Sequence, residues 1–166
     1  MTKPLLRKVV IAGDGNVGKT SLIRRYCEGK FETSRVATIG VDFYTQTVTL
    51  PDVKVRLSIW DMAGQEHFAI LRPGFYRGSK AAALVYDVTE PTSLENLVHW
   101  RREILKVVPE ESFLLVGNKI DLERVVSFHI AQRFAEVIKA PHIETSALTG
   151  EGVDELFNTL ARLANP

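Results

Sequence analysis

Residues 9–20 read Val9-Val10-Ile11-Ala12-Gly13-Asp14-Gly15-Asn16-Val17-Gly18-Lys19-Thr20. The first four are a continuous apolar run. Such a run suits a strand buried on both faces, as in a parallel sheet. It leads straight into the pattern G-x-x-x-x-G-K-[ST]. Glycines at this spacing let the backbone curl so that successive N–H groups point inward at phosphate oxygens. The stretch from about Lys19 through Ser21 to Tyr26 reads as an amphipathic helix, whose first N–H groups and dipole favour an anion. Lys19 is placed to reach β- and γ-phosphates, and the Thr20 hydroxyl to ligate Mg²⁺. The loop implies a nucleoside triphosphate; neither the base nor the reaction follows from it.

Outward from this stretch, short apolar runs alternate with helical patterns. Ala81 to Val85 and Phe113 to Val116 are further buried-strand runs bounded by turn residues. Between Val53 and Ile59, apolar Val53, Val55, Leu57 and Ile59 alternate with Lys54, Arg56 and Ser58. Phe43 to Leu50 is rich in β-branched and aromatic residues, and Pro51-Asp52 separates the two, so an antiparallel hairpin at a sheet edge is expected. Thr92 and Glu95 suggest a capping box opening a helix through about Val107. Ile130, Phe134, Val137 and Ile138 are expected to form one apolar helix face, and Val153, Leu156, Phe157, Leu160 and Ala164 another. Parallel strands joined by helices predict a three-layer α/β/α fold: a mostly parallel six-stranded sheet, one antiparallel edge strand and about five helices. The expected organisation is a single domain over residues 1–166. Ligands in such folds bind beyond the carboxyl ends of the strands, where the motifs fall.

Bulk properties agree with a globular domain. Of the 166 residues, 45% are hydrophobic and 25% charged, enough for one sizeable core. A formal net charge of +1, with Lys and Arg scattered, gives no electrostatic reason to expect a nucleic-acid partner. The lone cysteine, Cys27, excludes an internal disulfide, fits a reducing compartment and is expected to be a small core residue. His67, His99, His129 and His142 show no metal-ligand or triad spacing and are expected to be structural or surface residues. Met1-Thr2-Lys3-Pro4 leads into a strand pattern and not into a signal-peptide apolar region. Thr2 is not the glycine that myristoylation needs, and Ala164-Asn165-Pro166 has no prenylatable cysteine. A cytoplasmic monomer is expected, with peripheral membrane contact only through a lipidated tail beyond Pro166.

The base is indicated by Asn118-Lys119-Ile120-Asp121, directly after a buried run. Guanine offers two donors on its Watson–Crick edge, N1–H and the 2-amino group, and one carboxylate can accept both. Adenine offers no such pair and would leave the Asp121 carboxylate desolvated and unmatched, a difference worth about 10⁴-fold in selectivity.

Together these motifs identify a resemblance to the Ras-superfamily small GTPases, covering nearly the whole chain. By that resemblance Thr38, in Ala-Thr-Ile-Gly, is the switch I threonine that ligates Mg²⁺ and contacts the γ-phosphate. Asp61-Met62-Ala63-Gly64-Gln65 resembles the D-x-x-G-Q of switch II, in which Asp61 holds Mg²⁺ through water, the Gly64 N–H senses the γ-phosphate and Gln65 orients the attacking water. Phe31 resembles the aromatic that packs on guanine. Glu144-Thr145-Ser146-Ala147 resembles the last base-contacting loop, where the Ala147 N–H meets the guanine O6. Leu148 stands where the family usually has a lysine over the guanine face. Within the superfamily the chain looks most like the Rab branch, through Ile39-Gly40-Val41-Asp42-Phe43, Ile59-Trp60, Phe75-Tyr76-Arg77-Gly78 and Leu84 to Thr89. Leu71-Arg72-Pro73 is similar to the Rho branch, and the lack of a prenylatable tail to some prokaryotic relatives. Phe43, Trp60 and Tyr76 are candidates for an aromatic effector surface.

The resemblance implies a switch that binds GTP or GDP with Mg²⁺ and hydrolyses GTP slowly. Gln65, Lys19 and Thr38 are its catalytic candidates. Effectors would read switch I and switch II, an exchange factor and a GTPase-activating protein would regulate it, and its role would lie in trafficking or signalling. Arg35, three residues before Thr38, is a candidate arginine supplied in cis to the transition state. Two other readings stay open on the residues alone. A binding module without turnover is disfavoured by Gln65, and a P-loop kinase or ATPase by Asn118 and Asp121.

Overall fold

The computed structural model describes residues 3–29, 41–62 and 69–166. Within them the order is β1 (Leu5–Ala12), α1 (Lys19–Glu28), β2 (Val41–Thr49), β3 (Lys54–Met62), α2 (Arg72–Tyr76), β4 (Ser79–Asp87), α3 (Pro91–Glu95), α4 (Leu97–Val107), β5 (Ser112–Asn118), α5 (Phe128–Val137), β6 (His142–Glu144) and α6 (Val153–Ala164). The strands form one sheet in the order β2-β3-β1-β4-β5-β6. All neighbours are parallel except the edge pair β2 and β3, which run antiparallel with Phe43 opposite Trp60.

The continuous apolar runs are explained by cover on both faces. Val9 and Ile11 of β1 point into a core shared with Leu22 and Ile23 of α1 and with Leu156, Phe157 and Leu160 of α6. Val10 and Ala12 point the other way, into a core shared with Tyr76, Leu97, Trp100, Ile104 and Ala131. A two-residue side-chain period with helices on each face leaves no solvent side, so neither set can be polar. Leu22 and Ile23 are fully buried, each contributing roughly 1.5–3 kcal/mol. Tyr26 and Phe157 add a stacked pair with centroids 4.1 Å apart, which fastens α1 to α6.

Two helices differ from the sequence reading. The expected capping box does not form. Helix begins at Pro91, where the missing amide costs nothing, so Thr92 lies inside the first turn. Ser93 makes the local bonds instead, donating to the Glu90 carbonyl at 2.6 Å and accepting from the Asp87 amide at 2.9 Å. Asn96 alone, with helical dihedrals, separates α3 from α4. On α5 only half of the expected apolar face meets the core, through Phe134 and Ile138, while Ile130 is 60% and Val137 79% exposed. The packed face is Ala131, Ala135 and Ile138, with Phe134 partly buried. The α6 face is buried as expected, and Cys27 is half-buried against the first core.

β1 is the point at which the chain changes direction across the sheet, with β3 on one side and β4 on the other. The loop after β1 therefore lies over the crevice that open α/β sheets use for ligands.

Candidate nucleotide site

The turn after β1 needs residues without a Cβ. Gly13 has φ 146° and Gly18 φ 96°. A Cβ on Gly13 would overlap the Val85 carbonyl, and one on Gly18 the Asn118 amide. Asn16 is also left-handed, at φ 69°, a conformation Asn tolerates better than most residues. Gly15 and Asn16 are exposed, Val17 is anchored in the core at 2% exposure, and Ser21 is half-buried in the first turn of α1. Lys19 folds back over the loop and donates from Nζ to the carbonyls of Gly13 and Asp14, both at 2.7 Å. Burial lowers its pKa to about 8, against the opposing pull of Asp61 and Asp14 and with a small push from Arg72. The loop thus presents an ammonium, held by carbonyls, at the N-terminus of α1.

The Thr20 hydroxyl donates to Asp61 Oδ2, joining α1 to the end of β3. Asp61 is fully buried, and its pKa is raised by desolvation. Its Oδ1 is buried with no hydrogen-bond partner among the described residues. An orphaned carboxylate oxygen beside a hydroxyl is the hard-oxygen donor pair that suits Mg²⁺. That ion keeps most of its shell as water and phosphate, so one or two protein oxygens suffice. No group of three or more His, Cys, Asp or Glu side chains that could cage a metal occurs among the described residues.

The loop after β5 grips the loop after β1. Asn118 donates from Nδ2 to the Val17 carbonyl at 2.9 Å and accepts at Oδ1 from the Thr145 hydroxyl at 2.9 Å. Lys119, at φ 71°, donates to the Asn16 carbonyl at 2.6 Å and pairs with Asp87 at 2.9 Å. Asn118 is 1% and Thr145 0% exposed, so the two Asn118 bonds are shielded from water. Asp121 is exposed and accepts from the Ser146 hydroxyl at 2.7 Å. Ala147 is 4% exposed and Leu148 48%. The predicted Gly13–Thr20, Asn118–Asp121 and Ser146–Leu148 segments therefore converge on one end of the sheet.

One part of this arrangement carries no sequence signal. Asp14 occupies an unspecified position of the glycine motif, yet both its carboxylate oxygens are bonded. Oδ2 accepts from Asn96 Nδ2 at 2.7 Å and Oδ1 from Trp100 Nε1 at 3.0 Å. Arg72 lies over the same indole, 4.4 Å from the ring, and forks onto Glu103 with two bonds of 2.9 Å. Tyr76 donates its hydroxyl to Glu103 as well.

The Ras family model matches residues 8–165. The chain belongs to the Ras family. Ras-related protein Rab-21 of Mus musculus is 46% identical over 158 residues, covering 93% of this chain and 71% of the relative. Ras-related protein Rab-4 of Dictyostelium discoideum is 44% identical, covering 95% and 78%, and Ras-related protein SEC4 of Saccharomyces cerevisiae is 41% identical, covering 95% and 74%. These similarities place this Ras-family chain in the Rab branch, and membership makes it a GTPase, a hydrolase of a family that binds GTP and GDP.

For the Ras-family protein the aromatic surface is corrected by one residue. Phe43 is 67% exposed and stacks on Trp60 at 5.5 Å, and Trp60 meets Phe75 at 5.8 Å. Tyr76 is fully buried because Glu103 offers its hydroxyl an acceptor inside the α2–α4 contact. His142 bonds Tyr86 and Gln132, while His99 and His129 are exposed. Phe31, Arg35, Thr38, Gly64, Gln65 and His67 lie outside the described residues. No helix among the described residues is long and apolar enough to cross a membrane.

Proposed function

We propose that this chain is a molecular switch, a single G domain over residues 1–166, that binds GTP with Mg²⁺ and hydrolyses it slowly to GDP and phosphate. The observation that carries the reading is the grip of Asn118 and Lys119 on the backbone of Val17 and Asn16. It ties a base-selecting loop to a phosphate-binding loop at fixed separation. Lys19 and the α1 amides hold the phosphates, and Asp121 accepts the two guanine donors with Ser146 and Ala147 beside it. Thr20, Thr38 and, through water, Asp61 would hold Mg²⁺, which would supply charge neutralisation at the phosphate oxygens. Gln65 positions the attacking water, the Gly64 amide and Thr38 detect the terminal phosphate, and Phe31 and Leu148 flank the base.

Catalysis of this kind is positioning plus charge stabilisation, with no general base in the set, so turnover alone is on the order of 10⁻⁴ to 10⁻² per second. Loss of the terminal phosphate removes the contacts of Thr38 and Gly64 and relaxes the two switch segments. Effectors read that change, with the Phe43–Trp60–Phe75 stack, exposed at Phe43 and partly buried at the other two rings, as a contact. An exchange factor and an activating protein set its timing. The kinship with Rab proteins supports a monomeric role in vesicle trafficking, in the cytoplasm or peripherally on a membrane.

Nucleotide competition with Asp121→Asn tests the base site. Asn presents one acceptor and one donor, the match for xanthine with its 2-oxo group. GTP affinity is expected to fall and xanthosine triphosphate to bind in its place. Unchanged GTP affinity would remove Asp121 from the site. Single-turnover phosphate release from GTP but not ATP in the parent completes the test, and absence of release would leave a binding module.

A further inference from the structure

Helix α1 starts at the phosphate loop and ends beside the 146–150 loop. Its last turn carries Arg25, whose Nη1 donates to the Leu148 carbonyl and Nη2 to the Thr149 carbonyl, each at 3.2 Å. The next residue, Gly150, lies at φ +89°, and a Cβ there would sit 2.8 Å from Arg25 Nη2. The guanidinium thus fills the space that the loop leaves open. The helix beneath is firmly seated: Leu22 and Ile23 are fully buried and Tyr26 stacks on Phe157. The Gly29 amide closes the turn by bonding the Arg25 carbonyl at 3.1 Å.

The start of the loop is held from the β5 side: the Thr145 hydroxyl donates to Asn118 Oδ1 at 2.9 Å and the Ser146 hydroxyl to Asp121 Oδ1 at 2.7 Å. Its other bonds are local. Ser146 N–H reaches the Glu151 carbonyl at 2.9 Å, Gly150 N–H the Ser146 carbonyl at 2.8 Å and Thr149 N–H the Ser146 hydroxyl at 3.1 Å. These shape the loop but do not tie its Leu148–Thr149 end to α1. A planar fork spanning those two successive carbonyls does, because both donors are fixed in one plane and order together.

We infer that Arg25 is a positioning residue for the purine: it clamps the Ser146–Thr149 loop to α1 and thereby slows release of bound guanine nucleotide. The inference rests on the nucleotide site proposed above and adds a residue that touches neither base nor phosphate. Two surface hydrogen bonds to carbonyls correspond to about a three- to tenfold change in residence time.

The test loads the full chain with a fluorescent GDP analogue and measures its release into excess GDP, with and without Mg²⁺. Arg25→Ala is expected to speed release at least threefold. The same ratio should hold when Mg²⁺ is removed, because the clamp acts at the base end and the metal at the phosphate end. Arg25→Lys, with one point donor in place of the fork, should fall between the two and melt with the parent. That separates a clamp from a general weakening of α1, and Arg25→Lys alone decides if Arg25→Ala folds poorly. Release from Arg25→Ala less than threefold faster, or from Arg25→Lys at the parent rate, overturns the clamp. A parent chain that fails to take up the analogue overturns the nucleotide site instead.

Discussion

Trp100 donates its indole N–H to Asp14 Oδ1 at 3.0 Å, joining α4 to the glycine-rich loop across 86 residues of sequence. Arg72 stacks on the same ring and forks onto Glu103, so α2 rests on the side chain that braces the loop.

Replacing the indole should therefore disturb both. Trp100→Phe keeps an apolar ring but removes the donor, leaving Asp14 Oδ1 without one of its bonds. A stability loss of about 1–2 kcal/mol in urea denaturation is expected. GDP release should also quicken, because Asp14 loses one of the two side chains, Asn96 and Trp100, that hold it. An unchanged release rate at reduced stability would make the link a packing contact only.

Binding should depend on pH through Lys19. Without nucleotide its pKa lies at about 8 because of burial. Phosphates beside the ammonium raise it, so binding above that pH takes up a proton. Affinity for GDP is then expected to be flat below about pH 7 and to fall above about pH 8, by no more than roughly tenfold per unit. For the nucleotide-free fold the sign is opposite. The unfolded chain holds the Lys19 proton more tightly, so this residue adds stability as pH rises from about 8 towards 10.5. Calorimetric titrations in buffers of different ionisation enthalpy measure the uptake directly. Equal proton uptake at both ends of the range would show that Lys19 does not titrate on binding.

Glu111 gives a second pH signature, at the opposite end of the sheet. It precedes β5, is 9% exposed, and neither carboxylate oxygen has a well-formed hydrogen bond among the described residues. Burial raises its pKa from 4.5 to about 7, helped by Glu110 and opposed by the nearby Ser79 hydroxyl, Ser112 amide and Lys80. The folded state keeps a proton there that the unfolded chain releases, so stability drops as pH rises from 4.5 to about 7 and stays reduced above it. Glu111→Gln should gain roughly 1–3 kcal/mol near pH 8 and almost nothing near pH 4. Denaturation midpoints of the two proteins that run parallel across that range would refute the assignment.

The sequence alone determined the glycine-rich turn after β1, the alternation of strands and helices along the chain and the buried α6 face. Each is written in a contiguous stretch: eight residues for Gly13–Thr20, and a helical repeat for Val153–Ala164. A motif whose function is made by its own backbone does not depend on a distant partner. The tertiary structure decided what depends on a neighbour. Phe75 and Tyr76 are adjacent aromatics, and only the position of Glu103 selects Tyr76 for the interior. On α5 the small Ala131 and Ala135 face the core, because small side chains let the helix approach the sheet closely. The larger Ile130 and Val137 are left in solvent, where a count of apolar residues would not put them. The braces that unite the site, Asn118 on Val17 across 101 residues and Trp100 on Asp14 across 86, join side chains to partners far along the chain. Sequence periodicity carries no information about such pairs, since it is the sheet order that brings the strand ends together.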